Sequence, residues 1–218
     1  MPIICHQLTK QFGHTQVLNG INLEIVDGEY IALMGKSGAG KSTLLNIMAG
    51  LDRPSDGKII YNGVELNKCN DARLAEYRLR EFGFIFQFYN LIPELTLYEN
   101  IVLPLELDRK KINNSEVAQL IDQLGLTDRQ SSFPGTLSGG EQQRAAIARA
   151  VIHKPKVIFA DEPTGNLDEE TAMGFLELIR EVRQRLNSTV VLVTHDAAVA
   201  ASAERVIHIA DGIILEAG

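Results

Sequence analysis

The sequence predicts a parallel α/β core, preceded by a strand-rich N-terminal part and interrupted by an inserted helical lobe. Three observations carry that prediction. Short β-branched runs alternate with helical patterns, and two of them, Val157–Ala160 and Thr189–Val193, are unbroken apolar stretches of the kind that lie covered on both faces. A glycine-rich loop, Gly35 to Ser42, falls between a strand and a helix. A long middle segment reads as helical, broken by Pro93, Pro104 and Pro134, with few strand signals.

Taken in order, Ile21–Val26 reads as a strand, and Asp27-Gly28-Glu29 turns into a second one at Tyr30–Met34. Lys41–Ala49 is a helix that Gly50 ends, and Lys58–Tyr61 is a short strand closed by Asn62-Gly63. Asp71–Arg80 is a charged helix, and Phe84–Phe86 is strand-like. Further helices are expected at about Glu141–His153 and Thr171–Leu186. The division that follows is a core of residues 1–87 and 154–218, with a helical lobe at about 88–153, all within one domain.

Composition narrows the class. The 218 residues are 45% hydrophobic and 22% charged, a globular balance with enough chain for a substantial core. A net charge of -7 argues against a general nucleic-acid binder, whose surface needs clustered Lys and Arg. The two cysteines, Cys5 and Cys69, form no metal-like spacing and read as reduced thiols. No charged-then-apolar leader opens the chain and no apolar run approaches the ~20 residues that span a bilayer. The expectation is a cytosolic protein unless a partner holds it at a membrane.

The chemistry begins at Gly35-Lys-Ser-Gly-Ala-Gly-Lys-Ser42, which fits GxxxxGK[ST] with a strand before it and a helix after it. Gly35, Gly38 and Gly40 permit backbone angles that a Cβ penalises, so that N–H groups close around phosphate oxygens. Ser37, Ala39 and Thr43 belong to the same cradle. Lys41 is placed to reach the β- and γ-phosphates and Ser42 to ligate Mg²⁺, at a helix start that favours anions. Lys36 either touches phosphate or is a solvated side chain.

Strand Val157–Ala160 delivers two acids with different tasks: Asp161 for the magnesium shell, and Glu162 as the general base that polarises the attacking water. After the next strand, His195 faces the same crevice, where it bonds the γ-phosphate or the water. Gln87 follows Phe86 and has an amide oxygen for Mg²⁺ or the attacking water. Phe12 is a candidate to stack on adenine. Phe82, Phe84, Phe86, Phe88 and Tyr89 read as core and interface packing instead. Far downstream, Leu137-Ser-Gly-Gly-Glu141 has small residues and helix-start chemistry that suit a second phosphate-facing element. Two such elements in one chain suggest a nucleotide clamped between two copies.

Together these residues resemble the ATP-binding subunits of ABC transporters, with the motifs in order along essentially the whole chain. The resemblance implies a P-loop NTPase core of the ABC ATPase fold, with ATP and Mg²⁺ as cofactors. It implies two subunits packed head to tail, so that Ser138 and Gly140, with Gly139 and Glu141 of the same signature, meet the γ-phosphate held by the other copy's Lys41. Asp168 enters by the same route, through the loop after Glu162. A finer similarity, carried by Ala160–Asp168, Phe84–Leu91 and Glu141, is to the branch serving lipoprotein release, macrolide export, peptide resistance and cell division. Lys36, where the family often has Pro, and Phe12, where Tyr is frequent, depart from the common pattern without removing a catalytic group.

That branch implies an integral membrane subunit with few transmembrane helices, a possible periplasmic or extracellular adaptor, and residence on the cytoplasmic face of a bacterial membrane. Docking is expected near Gln87–Leu95 and the lobe. The alternative is the same motor regulating a cell-division or cell-wall complex without transport. A soluble DNA-maintenance or translation ATPase shares the signature, but lacks support here in coiled coils, zinc-binding cysteines or a duplicated motif set.

Overall fold

The computed structural model describes residues 2–165, 167 and 169–215. Two sheets sandwich the first core. In the smaller, β1 (Ile3–Phe12) pairs antiparallel with β2 (Thr15–Ile25) on one side and β4 (Asp56–Tyr61) on the other, and β5 (Val64–Glu65) completes the order β2-β1-β4-β5. Only the second half of β2 is evident in the sequence, and β1 is not. The reason is local: Gln7 has φ 49°, and the β1–β2 register slips three times between Cys5 and Gln11. Bulges of that kind erase the period-2 alternation that marks a strand.

The larger sheet comprises β3 (Tyr30–Met34), β6 (Phe82–Phe86), β7 (Val157–Asp161), β8 (Thr189–Thr194), β9 (Arg205–Ala210) and β10 (Ile213–Leu215), in the order β10-β9-β3-β8-β7-β6. All neighbours are parallel except β9–β10. β7 and β8 are buried along almost their whole lengths, as unbroken apolar strands between two helical layers must be. The parallel strands of this sheet end together, and β3, β6, β7 and β8 hand their next residues (Gly35, Gln87, Glu162 and His195) to one edge. This is where open α/β sheets bind ligands.

Helix α1 (Lys41–Met48) lies between the two sheets, with Leu44, Leu45, Ile47 and Met48 buried against both. On the opposite face a second core joins α3 (Leu97–Leu107), α4 (Asn114–Gln123), α5 (Gly139–Val151) and α6 (Glu169–Leu186) to β7 and β8. Charged helix α2 (Asp71–Arg80) and four-residue α7 (Ala197–Ala200) complete the set of α-helices among the described residues. Pro104 does not break its segment. It forfeits one backbone hydrogen bond within α3, which continues to Leu107 and is fixed at its start by a Thr96–Glu99 capping box.

Helix α5 belongs to the middle segment by sequence, yet it lies directly on the core sheet. Gly83 of β6 permits the approach: a β-carbon there would sit 2.3 Å from the Ala150 carbonyl oxygen. The buried surface of this helix is therefore continuous from lobe to sheet.

Candidate functional site: a phosphate cleft at the sheet edge

The loop after β3 and the start of α1 form the floor of an open cleft of about 920 Å³. Gly35, Lys36, Ser37, Gly38, Gly40, Lys41, Ser42 and Thr43 all line it, while Ala39 is tucked beneath the loop. Two positions show why glycine is required. A β-carbon on Gly35 would meet the Ile209 carbonyl of β9 at 2.2 Å, and Gly40 adopts φ 100° with the Val17 carbonyl 2.9 Å from where its β-carbon would be. Gly40 also stands at the helix cap without any side-chain hydrogen bond to the first turn. The opening N–H groups of α1 thus lack a side-chain acceptor, the arrangement that suits an anion.

Lys41 is 6% exposed, and its Nζ donates to the Gly35 carbonyl at 2.9 Å and the Lys36 carbonyl at 3.1 Å. Its ammonium is thereby held within the ring of backbone that it would share with phosphate. Lys36 itself is exposed on the rim.

The carboxylates approach from the end of β7. Ser42 Oγ donates to Asp161 Oδ1 at 2.8 Å, which brings the two expected magnesium ligands together across 119 residues of sequence. Burial, foremost, raises the Asp161 carboxyl above its ordinary value; the neighbouring Glu162 charge pushes the same way, and the Ser42 bond and Lys41 oppose it. Among the described residues no cluster of three or more His, Cys, Asp and Glu forms a closed metal cage. Mg²⁺ does not need one. It takes hard oxygens in small number and retains water and phosphate ligands, so a hydroxyl and a carboxylate already in contact fit it.

Glu162 adopts φ 45°, its N–H donates to the Val193 carbonyl at 3.0 Å, and its own carbonyl accepts from Gly165 at 3.1 Å. A left-handed acidic residue immediately after a buried strand is an uncommon conformation that a surrounding hydrogen-bond frame has to hold. Its Oε2 lies 2.9 Å from His195 Nδ1. A carboxylate only accepts, so Nδ1 carries the proton in this contact. Sequence treats the base and the histidine as separate callers on one substrate; the fold pairs them directly. Gln87 lines the same cleft, and a β-carbon on Gly165 would lie 2.9 Å from its Nε2, so the glycine leaves room for the amide.

Other expected residues stand elsewhere. Phe12 is at the tip of the β1–β2 hairpin, 52% exposed, with Lys10 Nζ 4.6 Å above its ring, and it does not line the cleft. Ser138, Gly139 and Gly140 open α5 away from the cleft that contains Lys41. Glu141 is turned inward on its own helix: Ser138 N and Oγ donate to Glu141 Oε2 at 2.7 and 2.8 Å, and Arg129 Nε to Oε1 at 2.7 Å. These bonds pull its carboxyl down to about 2, the Ser138 backbone bond contributing most. The capping box thus engages the Glu141 carboxylate within its own chain. Asp168 lies outside the described residues.

The cleft also includes Val17, Met34 and His208, to which the sequence assigns no role. His208 pairs in register with Met34 across the parallel β3–β9 contact. Only that pairing, invisible in a lone histidine between apolar residues, carries it to the rim. The turn after Gln87 is itself clamped: Tyr89 and Asn90 are both left-handed, at φ 61° and 49°, and Arg149 of α5 donates to their carbonyls at 2.7 and 2.5 Å.

A phosphate-binding loop, an oxygen pair for Mg²⁺ and a carboxylate–histidine pair at one sheet edge define a Mg²⁺-dependent nucleoside-triphosphatase. The match to known proteins makes the class specific. The ABC transporter family profile covers residues 18–165, and the chain belongs to that family: it is an ATP-binding, ATP-hydrolysing transporter subunit. It is 44% identical over 95% of its length to the lipoprotein-releasing system ATP-binding protein LolD of Bacteroides thetaiotaomicron, covering 96% of that protein. It is 43% identical to LolD of Acinetobacter baylyi, over 91% of this chain and 88% of the relative. The bacitracin export ATP-binding protein BceA of Halalkalibacterium halodurans is 42% identical over 95% of this chain and 81% of its own length. Among solved structures, a dimeric ATP-binding cassette in a post-hydrolysis state bound to ADP and Pi superposes with TM-score 0.90 at 36% identity, covering 99% of this chain and 97% of that one.

Proposed function

We propose that two copies of this chain close head to tail around two Mg-ATP and drive an integral membrane partner in lipoprotein release or peptide export. One observation carries the proposal: Ser138, Gly139 and Gly140 cap an exposed helix end outside the cleft of their own chain. A second copy is what brings such an element onto a bound γ-phosphate. A similar cassette solved as a dimer with ADP and Pi bound supports a dimeric, nucleotide-bound state.

Within each cleft, loop amides and Lys41 bind and orient the phosphates, while Ser42, Asp161 and Gln87 would hold Mg²⁺, which would neutralise phosphate charge. Glu162 takes the proton of the attacking water. The His195 contact holds that carboxylate in place beforehand, and its release lets the imidazole turn toward the γ-phosphate. Asp168 is proposed to act at the same interface.

For the membrane partner the support is a mostly apolar groove of about 290 Å³ between β6, α2, α3 and α5, lined by Phe84, Phe86, Pro104 and Leu107, with exposed Phe88 nearby in sequence. No helix among the described residues is long and apolar enough to cross a membrane. The kinship with lipoprotein-releasing ATP-binding proteins supports a place on the cytoplasmic face, held by a subunit with few transmembrane helices.

Gly140→Asp tests the dimer. Its side chain has room, the nearest atom being Arg144 Nη1 at 3.4 Å, and a carboxylate suits a helix start. The variant should bind nucleotide normally yet form no ATP-driven dimer in light scattering. ATP-driven dimers at parental strength would refute the shared site. Gentle solubilisation from the host membrane should recover the chain with a few-helix membrane subunit; recovery from the soluble fraction alone would refute the coupling.

A further inference from the structure

Helix α5 reaches from the element offered to a second copy back to the chain's own catalytic turn, and one buried side chain makes the connection. Gln143 is 2% exposed and, with Asn100, one of two buried side-chain amides among the described residues. Its Nε2 donates to the Pro163 carbonyl at 2.9 Å. Pro163 is the residue after Glu162, it is buried, and the Thr164 that follows it is 9% exposed.

We infer that Gln143 is a positioning residue for the general base. The Glu162 backbone is left-handed, and among the described residues three hydrogen bonds frame it: Glu162 N–H to the Val193 carbonyl of β8, Gly165 N–H to the Glu162 carbonyl, and Gln143 Nε2 to the Pro163 carbonyl. The first comes from the sheet and the second closes the turn on itself. The third comes from a different element. The proline ring fixes φ between the Glu162–Pro163 peptide and the Pro163–Thr164 peptide, so the orientation of the second, to which the Pro163 carbonyl belongs, constrains the first. An amide fixed on a helix sets it.

Position matters as much as bonding. Gln143 is four residues beyond Gly139, so its backbone lies about 6 Å along the helix from the signature end. A buried helix moves as a unit, so a shift of Ser138–Gly140 on engaging nucleotide carries Gln143 with it and re-aims the Glu162 carboxylate. The consequence is communication between the two half-sites of one copy: engaging the nucleotide of the second copy sets the base that fires on its own. This part rests on the shared-site dimer proposed above. A misplacement of about 1 Å at a reacting group is enough to lower a rate on the order of 100-fold.

The test is Gln143→Met, which keeps the length of the side chain and removes the donor, alongside Gln143→Glu, which is isosteric and sets a carboxylate against the Pro163 carbonyl. ATP turnover, binding of a fluorescent ATP analogue and ATP-driven dimerisation are measured for both and for the parent. The inference predicts kcat reduced at least 10-fold in both variants, with KM, analogue affinity and dimerisation within about 2-fold of the parent. A merely structural amide would instead lower affinity and dimerisation together with kcat, and that result would overturn the inference, as would parental kcat in Gln143→Met. A parent that turns over ATP and dimerises while Gln143→Met matches it sinks the inference alone. A parent that does neither sinks the functional reading and the inference with it.

Discussion

Replacing Gly35 by Ala is the sharpest test of how the cleft is built. The added β-carbon would fall 2.2 Å from the Ile209 carbonyl oxygen, where ordinary contact begins near 3.4 Å, so about 1 Å of separation has to be found. The obstacle is backbone. Ile209 belongs to β9, which is paired with β3 on one side and β10 on the other, and cannot withdraw without loosening the sheet. The phosphate loop must move instead. Overpacking of this kind costs about 1–3 kcal/mol. In a domain of this size that lowers Tm by roughly 2–4 °C per kcal/mol. The displaced loop includes the Gly35 and Lys36 carbonyls that hold Lys41, so ATP affinity should fall as well. Gly38→Ala is the control: its β-carbon meets nothing within 4 Å, and only φ +80° opposes it. It should cost about 1 kcal/mol and leave the loop in place. The assay is thermal unfolding with and without Mg-ATP. A Gly35→Ala protein that keeps both the parental Tm and the parental ATP-induced rise would refute the reasoning.

Two further outcomes concern acids. Glu141→Ala removes the capping partner of Ser138 and the Arg129 contact, costing about 1 kcal/mol at neutral pH. Because the native carboxyl titrates near 2 and the unfolded one near 4.3, the parent's advantage is whole above about pH 5. Denaturant titrations should show it shrinking as pH falls through 4 toward 2; an undiminished gap at low pH would contradict the assignment. Asp161 has the opposite sign. Its carboxyl is raised by burial, so between the unfolded and native values the folded state binds more protons, and stability falls as pH rises from about 4. Asp161→Asn should therefore be more stable than the parent at pH 7 in the absence of nucleotide, with the difference narrowing toward pH 4. Its Mg²⁺-dependent ATP turnover should be lost, and a less stable Asp161→Asn protein at pH 7 would count against the buried-charge argument.

The parts of this molecule that sequence displays are those with a short-range code. β7 and β8 are legible because strands covered on both faces are apolar throughout, and the phosphate loop because its geometry restricts residue type at fixed spacing. Ser42 and Asp161 were each readable; their contact follows from strand order alone. What stayed hidden depends on pairing. β1 is obscured by its bulges, His208 is brought to the cleft by the β3–β9 register, and Gln143 gains its meaning only when α5 is seen to lie on the core. Glu141 shows the reverse case. It sits inside a motif read as ligand-facing, and its carboxylate also closes the helix cap with Ser138. Pro104 marks a breaker that tertiary packing overrides.

Glu162 is proposed as the base of an ATPase whose two sites close around nucleotide. Glu162→Gln keeps the shape of the side chain and its contact distance to His195, and removes the proton acceptor. The measurement is the rate of phosphate release beside light scattering in Mg-ATP. Turnover should fall at least 100-fold, with ATP binding intact and a long-lived ATP-bound dimer. Parental turnover in this variant, or loss of turnover with no ATP-bound dimer, would contradict the proposal.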